Sequence, residues 1–188
     1  MTCMLEIHGK KDCPFAWRVR LTARQKAVDF DWLPYDVPVP DPRTAEHNPE
    51  RKSPLLWEDG FSLAESVIVA QYLDESREGR RLMPANARDR ARARLLLATV
   101  VAKLEVTPSH AESRAAAVEK ARRGQAALDR ALSDGRAYLG GDSPSLPDLM
   151  LWPFLALQDR DGVPPQPARA AEYWRRVKDV PELVATRP

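Results

Sequence analysis

Asp12-Cys13-Pro14-Phe15-Ala16-Trp17-Arg18-Val19-Arg20 is the stretch on which the fold of this chain turns. A thiol stands directly before a proline, and a helical pattern follows. Proline suits the first position of a helix, because the N–H it lacks would have no partner there. Phe15, Val19 and Ala23 share one face at helical spacing, while Arg18, Arg20 and Arg24 interleave. Cys13 is therefore expected at a helix N-terminus, facing free N–H groups and the positive end of the helix dipole. Both stabilise thiolate over thiol, and Lys11 and Arg18 add positive charge nearby. The same position also suits a cysteine that merely fills the start of a helix.

Outward from this point the pattern alternates. Cys3-Met4-Leu5-Glu6-Ile7-His8 reads as a first strand, and residues 30–35 as a second. Residues 37–49 are proline-rich and read as a loop with at most one helical turn near Ala45. Pro54-Leu55-Leu56-Trp57 reads as a third strand, Glu58-Asp59-Gly60 as a hairpin turn, and a short fourth strand follows. Residues 64–76 place Val67, Ile68, Ala70, Tyr72 and Leu73 at helical spacing. The sum is an α/β layer over residues 1–76. Residues 77–87 carry Gly79, Pro84 and Asn86 and read as a linker. Residues 88–188 are helical in character: 88–107, 109–134, a helix starting near Ser145, and another over about 168–177. An all-α domain is expected there. The run Asp89-Arg90-Ala91-Arg92-Ala93-Arg94 reads as the wet face of a helix.

Composition removes several classes of function. Among 188 residues, 29 basic side chains face 27 acidic ones, a net charge of +2, so no nucleic-acid partner is expected. No apolar run reaches about 18 residues, so no membrane span is expected. Nor does the N-terminus carry an apolar segment of signal-peptide length, which points to the cytoplasm, where thiols stay reduced. Cys3 and Cys13 are too few for a disulfide framework or a thiolate-bound zinc, and His8, His47 and His110 show no metal spacing. No metal site is expected. Cys3 on the first strand reads as core. Ala16 stands where a second cysteine of a C-x-x-C pair would be, so any redox chemistry is expected to be monothiol, through a mixed disulfide with a small thiol.

Two further features bear on ligands. A proline opening a central-looking strand cannot donate to the ladder. A cis peptide between Ser53 and Pro54 would solve this and turn the Ser53 backbone toward an extended peptide ligand. An edge strand would solve it equally well. Glu65 and Ser66 open a helix, with hydroxyl, carboxylate and N–H groups suited to the ends of an amino acid. They also suit an ordinary helix cap.

Together, residues 12–20, Asn48-Pro49, Ser53-Pro54-Leu55-Leu56, Asp59-Gly60, Leu63-Ala64-Glu65-Ser66 and Tyr72-Leu73 resemble the cytosolic glutathione S-transferases. In the second half Tyr138-Leu139-Gly140-Gly141-Asp142, Ser145-Leu146-Pro147-Asp148 and Leu151-Trp152-Pro153-Phe154 agree, and Ser145/Asp148 has capping-box spacing. Cys13-Pro14-Phe15-Ala16 looks like the omega class, whose members use a cysteine and act as thiol transferases or dehydroascorbate reductases. Trp17-Arg18-Val19-Arg20 looks instead like the zeta class, which isomerises maleyl compounds.

The resemblance implies a thioredoxin-like N-terminal domain, a helical second domain, and a site in the cleft between them. It implies that Cys13 forms a mixed disulfide with glutathione, that the Ser53 backbone pairs with the tripeptide, and that Glu65 and Ser66 hold its γ-glutamyl end. Phe15, Lys52 and Pro54 complete the expected glutathione set. Trp17, His110 and Trp152, with Phe15 again, are candidates for the wall of a second-substrate pocket, although core packing is the commoner role for such side chains. A homodimer is expected on the same ground. The alternatives are conjugation or isomerisation of an electrophile, a non-catalytic binding module, and a different thiol, for which Arg51 and Lys52 speak.

Overall fold

A computed structural model describes residues 5–35, 48–50, 52–107 and 113–188. The expectations for Cys3, His47, Arg51, His110 and the loop over residues 37–47 lie outside the described residues. The chain divides into two compact units, Met1–Arg81 with Ala185–Pro188, and Leu82–Val184.

The first unit runs β1 (Glu6–Lys10), α1 (Pro14–Gln25), β2 (Asp31–Tyr35), β3 (Leu55–Glu58), β4 (Phe61–Ala64) and α2 (Ser66–Ser76). Its four strands lie in the order β2-β1-β3-β4. β1 and β2 are parallel, because α1 carries the chain back between them; β3 is antiparallel to β1, and β4 to β3. Pro34 sits on the edge strand β2, where a missing N–H is tolerated. Asp59 and Gly60 both take positive φ, 48° and 81°, as a tight hairpin between β3 and β4 requires. The core joins Leu5, Ile7, Val19, Ala23, Leu56, Val69 and Leu73, with Val28, Phe30, Trp32, Leu63 and Tyr72 packed against it. The last helix starts at Ser66 rather than at residue 64, because Glu65 holds φ at 66°, outside any right-handed helix.

α1 differs from its expected pattern. Ala16 through Ala23 are buried without interruption, so Arg18 and Arg20 lie inside while Arg24 is exposed. Each guanidinium lies over an aromatic ring: Arg18 over Phe15 at 4.9 Å, Arg20 over Trp32 at 4.3 Å and Arg24 over Phe30 at 5.4 Å. On the same helix, the indole N–H of Trp17 donates to the hydroxyl of Thr186 at 2.9 Å.

The second unit is helical. α3 (Ala87–Leu96) continues through a π turn over Leu97–Val101 into Ala102–Leu104, followed by α4 (Arg114–Ala131), α5 (Leu146–Arg160), α6 (Ala168–Val177) and α7 (Pro181–Ala185). α7 had no counterpart in the sequence pattern. Asn86 caps α3, its side-chain oxygen accepting from the Asp89 N–H at 2.9 Å. Arg92 and Arg94 are exposed, as expected for the outer face of α3. α5 is buried almost all round and carries the centre of this unit's core. It opens with the capping box of Ser145 and Asp148. Among the described residues, no helix is long and apolar enough to cross a membrane.

Candidate functional site

Cys13 is the residue immediately before α1. Its N–H donates to the Lys10 carbonyl at 3.1 Å and its carbonyl accepts from Trp17 N–H at 2.9 Å, so the backbone starts the helix. The sulfur does not cap it. The thiol is half-buried, hence not core filler, and donates to the Ser53 carbonyl at 3.6 Å.

Ser53 is placed from several directions. The Ser53–Pro54 peptide is cis. Lys10 N–H donates to Ser53 Oγ at 2.9 Å. Gly9 makes this approach possible: a Cβ there would lie 2.8 Å from Ser53 Oγ, 2.8 Å from Ala16 Cβ and 3.1 Å from Trp32 Cη2. Asn48 fixes the residue before, its side chain donating to the Lys52 carbonyl at 2.7 Å and accepting from the Lys52 N–H at 2.9 Å. Tyr35 adds a bond from its hydroxyl to the same carbonyl at 3.3 Å. Burial raises the Tyr35 phenol, with a hydrogen bond to Ser53 opposing and Cys13 reinforcing. Asn48 had been noticed in the sequence only as part of Asn48-Pro49. An Asn-Pro pair before a Pro-led strand is the signal that could have assigned it this clamp.

Glu65 is exposed and Ser66 is buried. The Lys52 ammonium bonds Glu65 at 2.9 Å and Glu50 at 3.1 Å, and these two carboxylates, Glu65 first, raise it above its ordinary value. All three side chains are more than half exposed, so this net of charges is worth little to stability. Arg18, 3% exposed, donates to the Ser66 hydroxyl through Nε at 2.9 Å and Nη2 at 2.6 Å. Arg20 is 7% exposed, and among the described residues its Nε and Nη2 have no hydrogen-bond partner. Burial pulls its guanidinium down to about 10, with Cys13 partly offsetting, so it remains a cation near neutral pH.

The first unit thus brings together Cys13, Ser53, Pro54, Lys52, Glu65 and Ser66, with Phe15 half-buried two residues beyond the thiol. Trp17 and Trp152, expected as candidates for pocket walls, are buried, at 2% and 0% exposure, and Trp152 donates to the Tyr173 hydroxyl at 2.6 Å. Among the described residues, no group of three or more His, Cys, Asp or Glu side chains is placed to hold a metal ion. What remains is a half-exposed thiol beside a fixed backbone carbonyl, flanked by a lysine, a carboxylate and a hydroxyl, a set that fits a thiol-bearing peptide with a free amino-acid end.

Two family profiles match the chain. "Glutathione S-transferase, N-terminal domain" covers residues 7–81, and "Glutathione S-transferase, C-terminal domain" covers residues 111–164. Maleylacetoacetate isomerase of Rhizobium meliloti is 32% identical over 159 residues, spanning 73% of this chain and 74% of that protein. The chain belongs to the glutathione S-transferase family. Mouse glutathione S-transferase omega-1 is 26% identical over 163 residues, 80% of this chain and 65% of the mouse protein. A rice glutathione S-transferase solved in complex with glutathione superposes with a TM-score of 0.84 at 26% identity, over 100% of this chain and 92% of the rice one. The glutathione S-transferase fold, a thioredoxin-like sheet domain followed by helices, accordingly accounts for both units.

Proposed function

We propose that this glutathione S-transferase is a thiol transferase or reductase of the omega type, working through a mixed disulfide on Cys13. One observation carries the reading: the residue at the start of α1 is a half-exposed cysteine whose sulfur neither caps the helix nor enters the core. The thiolate attacks the glutathione sulfur of a glutathionyl disulfide. The old S–S bond breaks, a new one forms to Cys13, and the departing thiolate takes a proton from water. A second glutathione thiolate then attacks the glutathione sulfur of the mixed disulfide, giving oxidised glutathione and restoring Cys13.

In this reading the Ser53 backbone lies along the tripeptide, and Glu65 and Ser66 receive its γ-glutamyl end. Phe15, Lys52 and Pro54 flank it. The protein works in the cytoplasm, as a homodimer, without a metal.

A second reading is favoured by the 32% identity to a maleylacetoacetate isomerase. There Cys13 would only bind or polarise glutathione while an electrophile is isomerised or conjugated. Intact-mass measurement after incubation with oxidised glutathione separates the two. The thiol-transferase reading expects one glutathione on wild type and none on Cys13→Ala or Cys13→Ser, with loss of almost all disulfide reduction in both variants. Disulfide reduction retained by Cys13→Ser would remove the mechanism and favour the second reading. A protein that neither binds glutathione nor melts higher in its presence would be a binding module without the cofactor.

A further inference from the structure

Cys13 starts α1 without capping it: its side chain makes no bond to the helix N–H groups, and Pro14 has no N–H of its own. The first turn is closed by the backbone instead, from Cys13 N–H to the Lys10 carbonyl at 3.1 Å and from Trp17 N–H to the Cys13 carbonyl at 2.9 Å. Trp17 thus stands one turn beyond the thiol, on the same side of the helix. Helical side chains lean toward the N-terminus, so its indole backs the turn that Cys13 opens. At 2% exposure that indole has a single N–H to place, and it donates to the Thr186 hydroxyl at 2.9 Å. Thr186 is itself 4% exposed and, with Ala185, Arg187 and Pro188, belongs to the sheet unit. The last residues of the chain are therefore built into the unit that carries the thiol.

A buried indole N–H cannot turn to water when its acceptor is lost, so the turn is not free to move away from Thr186. On the neighbouring side Ala16 lies close against Gly9, where an added Cβ would come within 2.8 Å of Ala16 Cβ. The sulfur meets the Ser53 carbonyl at 3.6 Å. A shift of the turn is therefore a shift of the sulfur against the fixed carbonyl beside it. Disulfide exchange needs the attacking sulfur aligned with the bond it breaks, and a small misplacement lowers the rate of attack steeply. We propose that Thr186 is a positioning residue for Cys13, acting through the Trp17 indole. This role presupposes Cys13 as the attacking group of the proposed exchange. Ser53, Glu65 and Ser66, the expected holders of the tripeptide, lie outside α1, so Thr186 governs the rate of attack and not the binding of glutathione.

The test uses the full chain with Thr186→Val, which keeps the shape and removes the hydroxyl, and Thr186→Ser, which restores it. Glutathionylation of Cys13 by oxidised glutathione, with glutathione leaving as its thiolate, is followed by intact mass over a concentration series. All variants are compared at a temperature where each is folded. Thr186→Val is expected to lower the saturating rate roughly tenfold and to keep the half-saturating concentration within about twofold of wild type. Thr186→Ser is expected to recover most of the rate. Benzothienylalanine at position 17, a tryptophan isostere with sulfur in place of the N–H, is expected to match Thr186→Val and replaces it if that variant does not fold. An unchanged saturating rate overturns the proposal. So does a half-saturating concentration that rises as the rate falls, since that marks a general loosening of the unit, and so does a failure of Thr186→Ser to recover. If wild type gains no glutathione at Cys13, the thiol-transferase reading falls, and alkylation of Cys13 by iodoacetamide, located by peptide mass, decides on Thr186. Alkylation slowed by Thr186→Val and recovered by Thr186→Ser supports the positioning role; equal rates in all three proteins end it.

Discussion

Arg18 fills the hydroxyl oxygen of Ser66 from both nitrogens of one guanidinium edge, Nε at 2.9 Å and Nη2 at 2.6 Å. A hydroxyl oxygen accepts twice and donates once, so this arrangement leaves Ser66 with only its proton to offer. In a site expected to hold the γ-glutamyl carboxylate, that polarity is the useful one. Ser66→Ala takes the shared acceptor from an arginine that is 3% exposed. The loss is expected to be about 2 kcal/mol of stability in urea unfolding. The same change made on an Arg18→Met background should cost much less, the difference being the coupling between the two residues. Equal costs on both backgrounds would dissolve the clamp.

Gly9 is expected to be intolerant of a methyl group. Alanine there places Cβ at 2.8 Å from both Ser53 Oγ and Ala16 Cβ, so strand, helix and the Ser53 segment must separate. Gly9→Ala should lose about 1–3 kcal/mol in urea unfolding. Glutathionylation of Cys13, followed by mass, should slow in the same variant because the Ser53 carbonyl beside the sulfur moves. A variant of wild-type stability and unchanged labelling rate would contradict the packing described.

Asp148 is fully buried in the second unit and accepts five hydrogen bonds: from Leu139 N–H at 2.8 Å, Gly140 N–H at 3.2 Å, Ser145 N–H at 2.8 Å, Ser145 Oγ at 2.6 Å and Tyr173 OH at 2.7 Å. Asp148→Asn keeps the shape but turns one acceptor into a donor facing other donors. A loss of about 3 kcal/mol or more is expected, measured by thermal or urea unfolding. Asp148→Asn folding with wild-type stability would rule out this network as the anchor of α5.

Asp134 supplies a pH signature. Arg136 bonds its carboxylate through Nε at 2.9 and 2.8 Å, through Nη2, and through its backbone N–H at 3.3 Å. These bonds hold the carboxyl down to about 2. The folded value lies below the ordinary one near 3.9. The stabilisation is therefore present above that ordinary value and is lost as pH falls through about 2. Carbon-detected NMR titration should show Asp134 ionised well below pH 3.9 in wild type and returning toward the ordinary range in Arg136→Gln. Coincident titrations would exclude the pairing.

Much of this architecture was legible because its signals are local. Pro14 after Cys13 announced a helix start, Pro54 at the head of β3 pointed to either a cis peptide or an edge strand, and Ser145 with Asp148 announced a cap. Each depends on residues within a few positions of one another. The arginines of α1 were misleading because spacing alone does not reveal that Phe15, Trp32 and Phe30 lie beneath them. The clamp of Arg18 on Ser66 depends on a partner 48 residues away, and that two Arg20 nitrogens lack a partner among the described residues is visible only in three dimensions. Trp17 and Trp152 show the same limit. An aromatic residue beside a motif reads alike whether it faces a ligand or a core, and burial decides.

The bond from Trp17 to Thr186 has a consequence for biogenesis. Because 169 positions separate its donor from its acceptor, the indole on the helix that begins beside the thiol finds its acceptor only after residue 186 has been made. A nascent chain paused after the first sheet would carry an incomplete interior. A fragment of residues 1–81 expressed alone would lack a strut that belongs to it, so the sheet domain should not be regarded as a module that can be cut out and grafted elsewhere.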